Sequence, residues 1–133
     1  MLNTRETDYA LRILRGLQDG KLRKLEDLCA TEHVPQAFGY KIARKLTKAG
    51  WLENVRGAGG GYRLQASLEK LTLYDVTFLL DETSPVSPCV EEDYHCPWKK
   101  AHDDHCAICL KFREIHNHIA SELQETSLAS LIS

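Results

Sequence analysis

"KIARKLTKAGWLENVRGAGGGYRL", residues 41–64, decides how the chain folds. Lys41, Arg44, Lys45 and Lys48 fall at i, i+3, i+4 and i+7, which on a helix makes one continuous basic face. No acidic residue interrupts that stripe along the chain, and Ile42, Leu46 and Ala49 form a separate apolar face for a core. Pro35, tolerated in a first turn, opens this helix, and Gly50 ends it. "WLENVR" and "YRL" then read as short strands around a turn holding Gly57, Gly59, Gly60 and Gly61. Glycine there permits close approach to a phosphate or a groove, and Arg56 and Arg63 flank the tip. The loop lacks the Lys-Ser/Thr of a P-loop and leads into no helix, so it is not a nucleotide cradle.

Two shorter helices precede this unit. Tyr9, Ala10, Ile13, Leu14 and Leu17 have helical spacing, with Asn3 and Glu6 as the expected N-terminal cap and "QDGK" as the stop. "KLEDLCATEHV" carries Leu25, Leu28 and Cys29 on one face, where Cys29 reads as a small buried side chain. Two short helices, a basic third and a hairpin are the order of a winged helix-turn-helix, whose last helix enters the major groove. The expected fold is mainly α with a small β-hairpin, and residues 1–70 form the DNA-binding part. Double-stranded DNA is the expected partner. Tyr40, Lys41, Arg44, Lys45 and Lys48 would meet it from the helix, and Arg56, Gly59, Gly60 and Arg63 from the wing. Lys41 and Lys45 are read as phosphate contacts, Arg44 and Tyr40 as readers of base edges.

Charge is divided along the chain. Residues 1–70 carry 13 Lys and Arg against 8 Asp and Glu, and residues 71–133 carry 4 against 11, so a basic half precedes an acidic one. That places the polyanion partner on the first half. No apolar run approaches the ~20 residues that cross a membrane, and "MLNTRETDYALRIL" is charged and helix-patterned rather than a signal peptide. A cytoplasmic protein without a membrane partner is expected, its thiols reduced and more suited to metal than to disulfides.

In the second half, Thr72 and Asp75 resemble a capping pair ahead of Leu73, Val76, Leu79 and Leu80. "DETSPVSP" breaks that helix with two prolines. "CVEEDYHCPWKKAHDDHCAIC", residues 89–109, follows with four of the five cysteines and three of the six histidines, and reads as too polar and irregular for regular structure. From Cys106 a long helix takes over, with Ile108, Phe112, Ile115, Ile119 and Leu123 on one stripe. So small a domain offers little core to cover that stripe, so a homodimer is expected. Residues 71–133 are thus read as a sensor loop and a dimerisation helix, and no internal repeat is present.

Four segments carry a resemblance: "TDYALRIL", "KIARKLTKAGWLENVRGAGGGYRL", "LTLYDV" and "CAICLKFREIHNHIASELQETSLASL". In order, over nearly the whole chain, they resemble the Rrf-type winged-helix repressors, and "RGAGGGYRL" is the most specific of them. The resemblance implies a transcriptional repressor, and the two recognition helices of the expected dimer imply a near-palindromic operator. The cysteine region is similar to that of the iron–sulfur members, which place three cysteines between the short helix and the long one. The intervals here, six residues between Cys89 and Cys96 and nine between Cys96 and Cys106, are wider than is usual in those members.

An iron–sulfur cluster, 2Fe–2S or 4Fe–4S, needs about four ligands, mostly thiolates. Cys89, Cys96 and Cys106 are the first three candidates. Cys109, at i+3 from Cys106, is the softer choice for the fourth, matching a ligating histidine of the IscR-like members. Asp8, matching an aspartate reached across the dimer in the NsrR-like members, is the alternative. His95, His102 and His105 keep zinc open, although only Cys106 and Cys109 form a close pair of the kind structural zinc favours. Bare redox-sensing thiols also remain open. A thiol redox protein using Cys106 and Cys109 as a CxxC pair is a further class, but it lacks the βαβ context and leaves the wing unexplained.

Overall fold

The computed structural model describes residues 4–80 and 86–132. Helices α1 (Arg5–Gly16), α2 (Leu25–Glu32) and α3 (Gln36–Lys48) lead into the hairpin β1 (Leu52–Val55) and β2 (Gly61–Leu64). After it come α4 (Leu73–Leu79), a 3-10 turn at Pro88–Val90, α5 (Pro97–Ala101), α6 (Ala107–Glu125) and α7 (Leu128–Ile132). The architecture is the expected one: mainly helical, with a winged helix-turn-helix and one long helix.

The first three helices form because their apolar stripes meet. Ala10, Ile13, Leu14 and Leu17 of α1 and its end are fully buried, as are Ile42, Ala43 and Leu46 of α3. Each large side chain among them contributes roughly 1.5–3 kcal/mol by leaving water. Ala49, expected on this face, is exposed, because α3 ends at Lys48 and Ala49 is its C-cap; Ala43, beside Ile42 and Leu46, completes the buried face. The α1 cap also differs. Thr4 Oγ1 accepts from the Thr7 amide at 3.4 Å, while Asn3 lies outside the described residues, as does the 81–85 part of the proline break. Helix α4 has the full capping box: Thr72 Oγ1 accepts from the Asp75 amide, and the Asp75 carboxylate accepts from the Thr72 amide at 2.8 Å.

The hairpin is antiparallel, pairing Leu52 with Leu64 and Val55 with Gly61. A third stretch leans on it: Arg23 and Tyr62 exchange backbone hydrogen bonds at 2.9 and 2.7 Å. A Cβ on Gly61 would stand 2.3 Å from the Arg23 carbonyl oxygen, so this glycine serves the protein's own backbone.

Two features escaped the sequence reading. The stretch 89–109 is not wholly irregular: Pro88 and Pro97 sit in the first turns of the 3-10 turn and of α5, where a missing amide costs nothing. And after α6 comes α7, whose Leu128 and Ile132 join the core beside Val76 of α4 and Leu80 at its C-cap. Backbone bonds hold that return in place, from the Leu73 amide to Thr126 and from the Leu128 amide to Leu71, both at 2.9 Å. Helix α6 stands off from this core, and Cys109 is its one buried residue among those described. Ile108 is 68% exposed, Phe112 37% and Ile115 36%. Among the described residues no helix is long and apolar enough to cross a membrane.

Close packing sets one sharp expectation. A Cβ on Gly39 would lie 2.4 Å from Cys29 Sγ, where α3 crosses α2. Helix propensity alone favours Gly39→Ala by about 1 kcal/mol, whereas overpacking costs ~1–3 kcal/mol. We expect Gly39→Ala to lower stability in urea denaturation and to become neutral or stabilising when Cys29→Ala removes the sulfur. Equal effects in both backgrounds would mean that the sulfur is not the obstacle.

Candidate functional site

The α3 face presents its cations unequally. Arg44 and Lys48 are exposed and, among the described residues, pair with no carboxylate. Lys41 and Lys45 both reach Glu6 in the first turn of α1, Nζ to Oε1 at 2.5 Å and Nζ to Oε2 at 3.5 Å. The stripe that no acid interrupts along the chain is therefore met by one in space. The Lys41 hydrogen bond holds the Glu6 carboxyl below the usual carboxylate range against the upward push of burial, and the Lys45 charge adds to it. Tyr40, half-exposed, donates its hydroxyl to Glu26 of α2, which raises the tyrosine and lowers the carboxylate.

On the wing, Arg56 is exposed and, among the described residues, has no carboxylate partner. Arg63 faces Glu53 across the ladder and binds it, Nη2 to Oε2 at 2.6 Å. The glycines divide by role. Gly57 holds a left-handed φ of 109°, and a Cβ on Gly60 would be 2.0 Å from the Val55 carbonyl oxygen, so both shape the turn. Gly59 faces open space and is the one free to approach a groove. Arg44, Lys48, Arg56 and Gly59 are thus the members of the expected DNA-binding set that the protein leaves uncommitted.

The cysteines gather elsewhere. Cys89 from the 3-10 turn, Cys96 at the head of α5, and Cys106 and Cys109 at the head of α6 line one cleft of about 720 Å³. Tyr94 and Trp98 give it aromatic walls, and its charged lining is balanced, Lys99 and Arg113 against Glu91 and Glu92. Cys109 is buried and donates to the Cys89 carbonyl at 3.4 Å, which ties the 3-10 turn to α6; Cys89 Sγ lies 3.2 Å from Ser87 Oγ. Asp103 and Asp104, both at left-handed φ (57° and 56°), turn the chain from α5 into α6. Among the described residues no three Cys, His, Asp or Glu side chains stand close enough to hold a single metal ion. Four thiols lining one cleft are a soft donor set of the kind that either an iron–sulfur cluster or Zn²⁺ takes.

The remaining candidates do not share this cleft. Asp8 is on α1, paired with Arg12 at 3.1 Å. His102 stacks on Trp98 and donates Nδ1 to its carbonyl at 2.8 Å, and His105 lines an adjoining cavity with Cys106 and Cys109. His95 lines none of the cavities described here. Cys29, buried under α3 and pushed up in pKa by burial first and the Glu26 charge second, is a core thiol. Glu6 is the residue the sequence reading missed. It was assigned to a cap, and only the packing of α1 on α3 reveals its two lysines.

Comparison with known proteins follows the same lines. Protein aau3 of Rhizobium meliloti (strain 1021) is 30% identical over 132 residues, with 97% of this chain and 83% of that protein covered. The fold is similar to that of CymR (YrzC), the global cysteine regulator of B. subtilis. The two are 23% identical, 99% of this chain and 97% of that one are covered, and the TM-score is 0.72. IscR of T. potens superposes with a TM-score of 0.66 at 16% identity, covering 99% of this chain and 86% of that one. Residues 3–133 match the family Rrf2, described as iron-dependent transcriptional regulators. Its members regulate transcription rather than catalyse reactions, which removes the thiol-enzyme alternative. The chain belongs to the Rrf2 family of DNA-binding transcriptional regulators.

Proposed function

We propose that this regulator is a cytoplasmic homodimeric repressor whose affinity for a near-palindromic operator is set by an iron–sulfur cluster. Cys89, Cys96, Cys106 and Cys109 would hold it. The observation that carries this reading is the convergence of those four thiols on one cleft, although the chain spreads them over residues 89–109. A bound cluster would supply iron open to oxygen or nitric oxide, and so a chemical input. The protein's own part is mechanical. Ligation would fix the 3-10 turn and α5 against the head of α6, whose stripe at Phe112, Ile115 and Ile119 would be the dimer surface. Two α3 helices, each with Tyr40, Lys41, Arg44, Lys45 and Lys48, would then address half-sites about one helical turn apart. Arg56, Gly59, Gly60 and Arg63 of each wing would flank them.

Anaerobically purified protein should be brown. Cys89→Ala, Cys96→Ala and Cys106→Ala should each lose the visible absorption and shift operator affinity together, while Cys29→Ala should do neither. Cys109→Ala against Asp8→Ala identifies the fourth ligand by the same spectrum. A colourless protein containing stoichiometric zinc would replace the cluster with a structural site. A colourless, metal-free protein whose operator affinity responds to peroxide would replace it with a thiol switch.

The dimer has its own test. Ile115→Asp places an unpaired charge in the α6 surface, and we expect sedimentation velocity to show a monomer. An unchanged dimer would put the interface elsewhere.

A further inference from the structure

Two of the four cations on the α3 face are held by an acid from another helix. Glu6 is partly buried, its side chain 17% exposed, and it bridges Lys41 and Lys45 at 2.5 and 3.5 Å. We infer that Glu6 is a specificity-determining residue, one that withholds Lys41 and Lys45 from DNA phosphates until an operator complex draws them off.

With α3 as the helix that meets DNA, as proposed above, three physical points give Glu6 this role. First, the carboxylate removes one unit of charge from a face whose four cations would otherwise act together, and it fixes the direction of two long side chains. Second, the Lys41 hydrogen bond keeps Glu6 ionised across the neutral range, so the clamp is present whenever the protein meets DNA. Third, the competition differs between complexes. Non-specific binding comes from loosely held phosphates, each released counterion contributing about 0.9 to the salt slope. A mobile, hydrated phosphate competes poorly with a partly buried carboxylate already in contact. An operator complex fixes phosphates against α3 through its base contacts, and there the lysines gain as much from DNA as they lose from Glu6. Glu6 thus penalises wrong DNA more than right DNA, which raises the specificity ratio without touching a base. Arg44 and Lys48, unpaired among the described residues, carry the non-specific attraction that remains.

Salt titrations of the intact protein on operator and on scrambled duplex test this. Glu6→Gln should steepen the salt slope on scrambled DNA by about one to two units. One such unit corresponds to an affinity change of about 4-fold between 50 and 200 mM salt. The slope on operator should change by less, so the operator-to-scrambled ratio falls. In the parent, Lys41→Gln should leave the scrambled-DNA slope unchanged, whereas Arg44→Gln should lower it by about one. This pair keeps Glu6 in place and so reads the clamp even if Glu6→Gln fails to fold. Glu6→Gln behaving as the parent on both duplexes, or Lys41→Gln costing as much as Arg44→Gln on scrambled DNA, overturns the inference. If Arg44→Gln and Lys48→Gln both leave every slope unchanged, it is instead the placement of DNA on α3 that fails.

Discussion

The apolar stripe of α1 is the constraint on which the other elements depend, because Ala10, Ile13, Leu14 and Leu17 touch more than one layer at once. One short helix packs against α2 and α3 of the DNA-binding unit and against α4 and α7 of the second half. Three of these residues are large and fully buried, so the stripe alone contributes several kcal/mol, of the order of a small domain's whole net stability. Its polar flank is used as well. Arg15 grips the Glu32 carboxylate through Nε and Nη2, Arg12 donates to the Glu32 carbonyl, and Glu6 holds the lysines of α3. A helix engaged on every side in this way cannot shift without disturbing the orientation of α3.

This placement explains why the two halves of the chain are not independent bodies. The core that begins with Ala10 ends with Ile132, and Val76, Leu80 and Leu128 belong to it. The final turn of the chain is therefore as much a part of the DNA-binding unit's core as its second helix. What stands outside is α6 with the cysteine cleft, and α6 returns to the core at its C-terminal end. There the Thr126 carbonyl accepts from the Leu73 amide and Leu128 is buried.

Sequence periodicity was enough for the elements whose signals are local. The α3 stripe, the glycine turn and the Thr72–Asp75 box each rest on residues within one or two helical turns, and those elements are where the spacing placed them. Signals that need a partner distant in the chain were not readable. Glu6 lies 35 residues before Lys41, and nothing in its own surroundings announces the pair. Gly39 reads as a helix-weakening residue until Cys29 is packed against it. Helix α7 is only five residues long, too short for a periodic pattern to register, and it is held by burial rather than propensity. The thiols fell between these cases. Their clustering in the chain was plain, but that four positions up to twenty residues apart share one cleft depends on two proline-started turns that the polar composition concealed.

The geometry of α6 gives the proposed sensor its mechanical logic. The helix is 19 residues long, about 28 Å. It is tied to the core at its C-terminal end by the Leu73–Thr126 bond and bears the cysteines at its other end. Between them it rests on α4, which in turn rests on α1 through Val76 and Leu80. A rigid rod fixed at one end converts a small change of angle into a large displacement at the other, and the converse holds for force. Ordering or releasing the 3-10 turn and α5 at the cysteine end would therefore load the joint with α4 and α7, which is also where α1 is held. Coupling of ~1–3 kcal/mol, 5- to 150-fold in affinity, is what such a switch requires. That is comparable to the burial of a single large side chain at that joint. Loss of the burial of Leu80 or Leu128 alone would be large enough to carry the proposed signal, without unfolding of the winged domain.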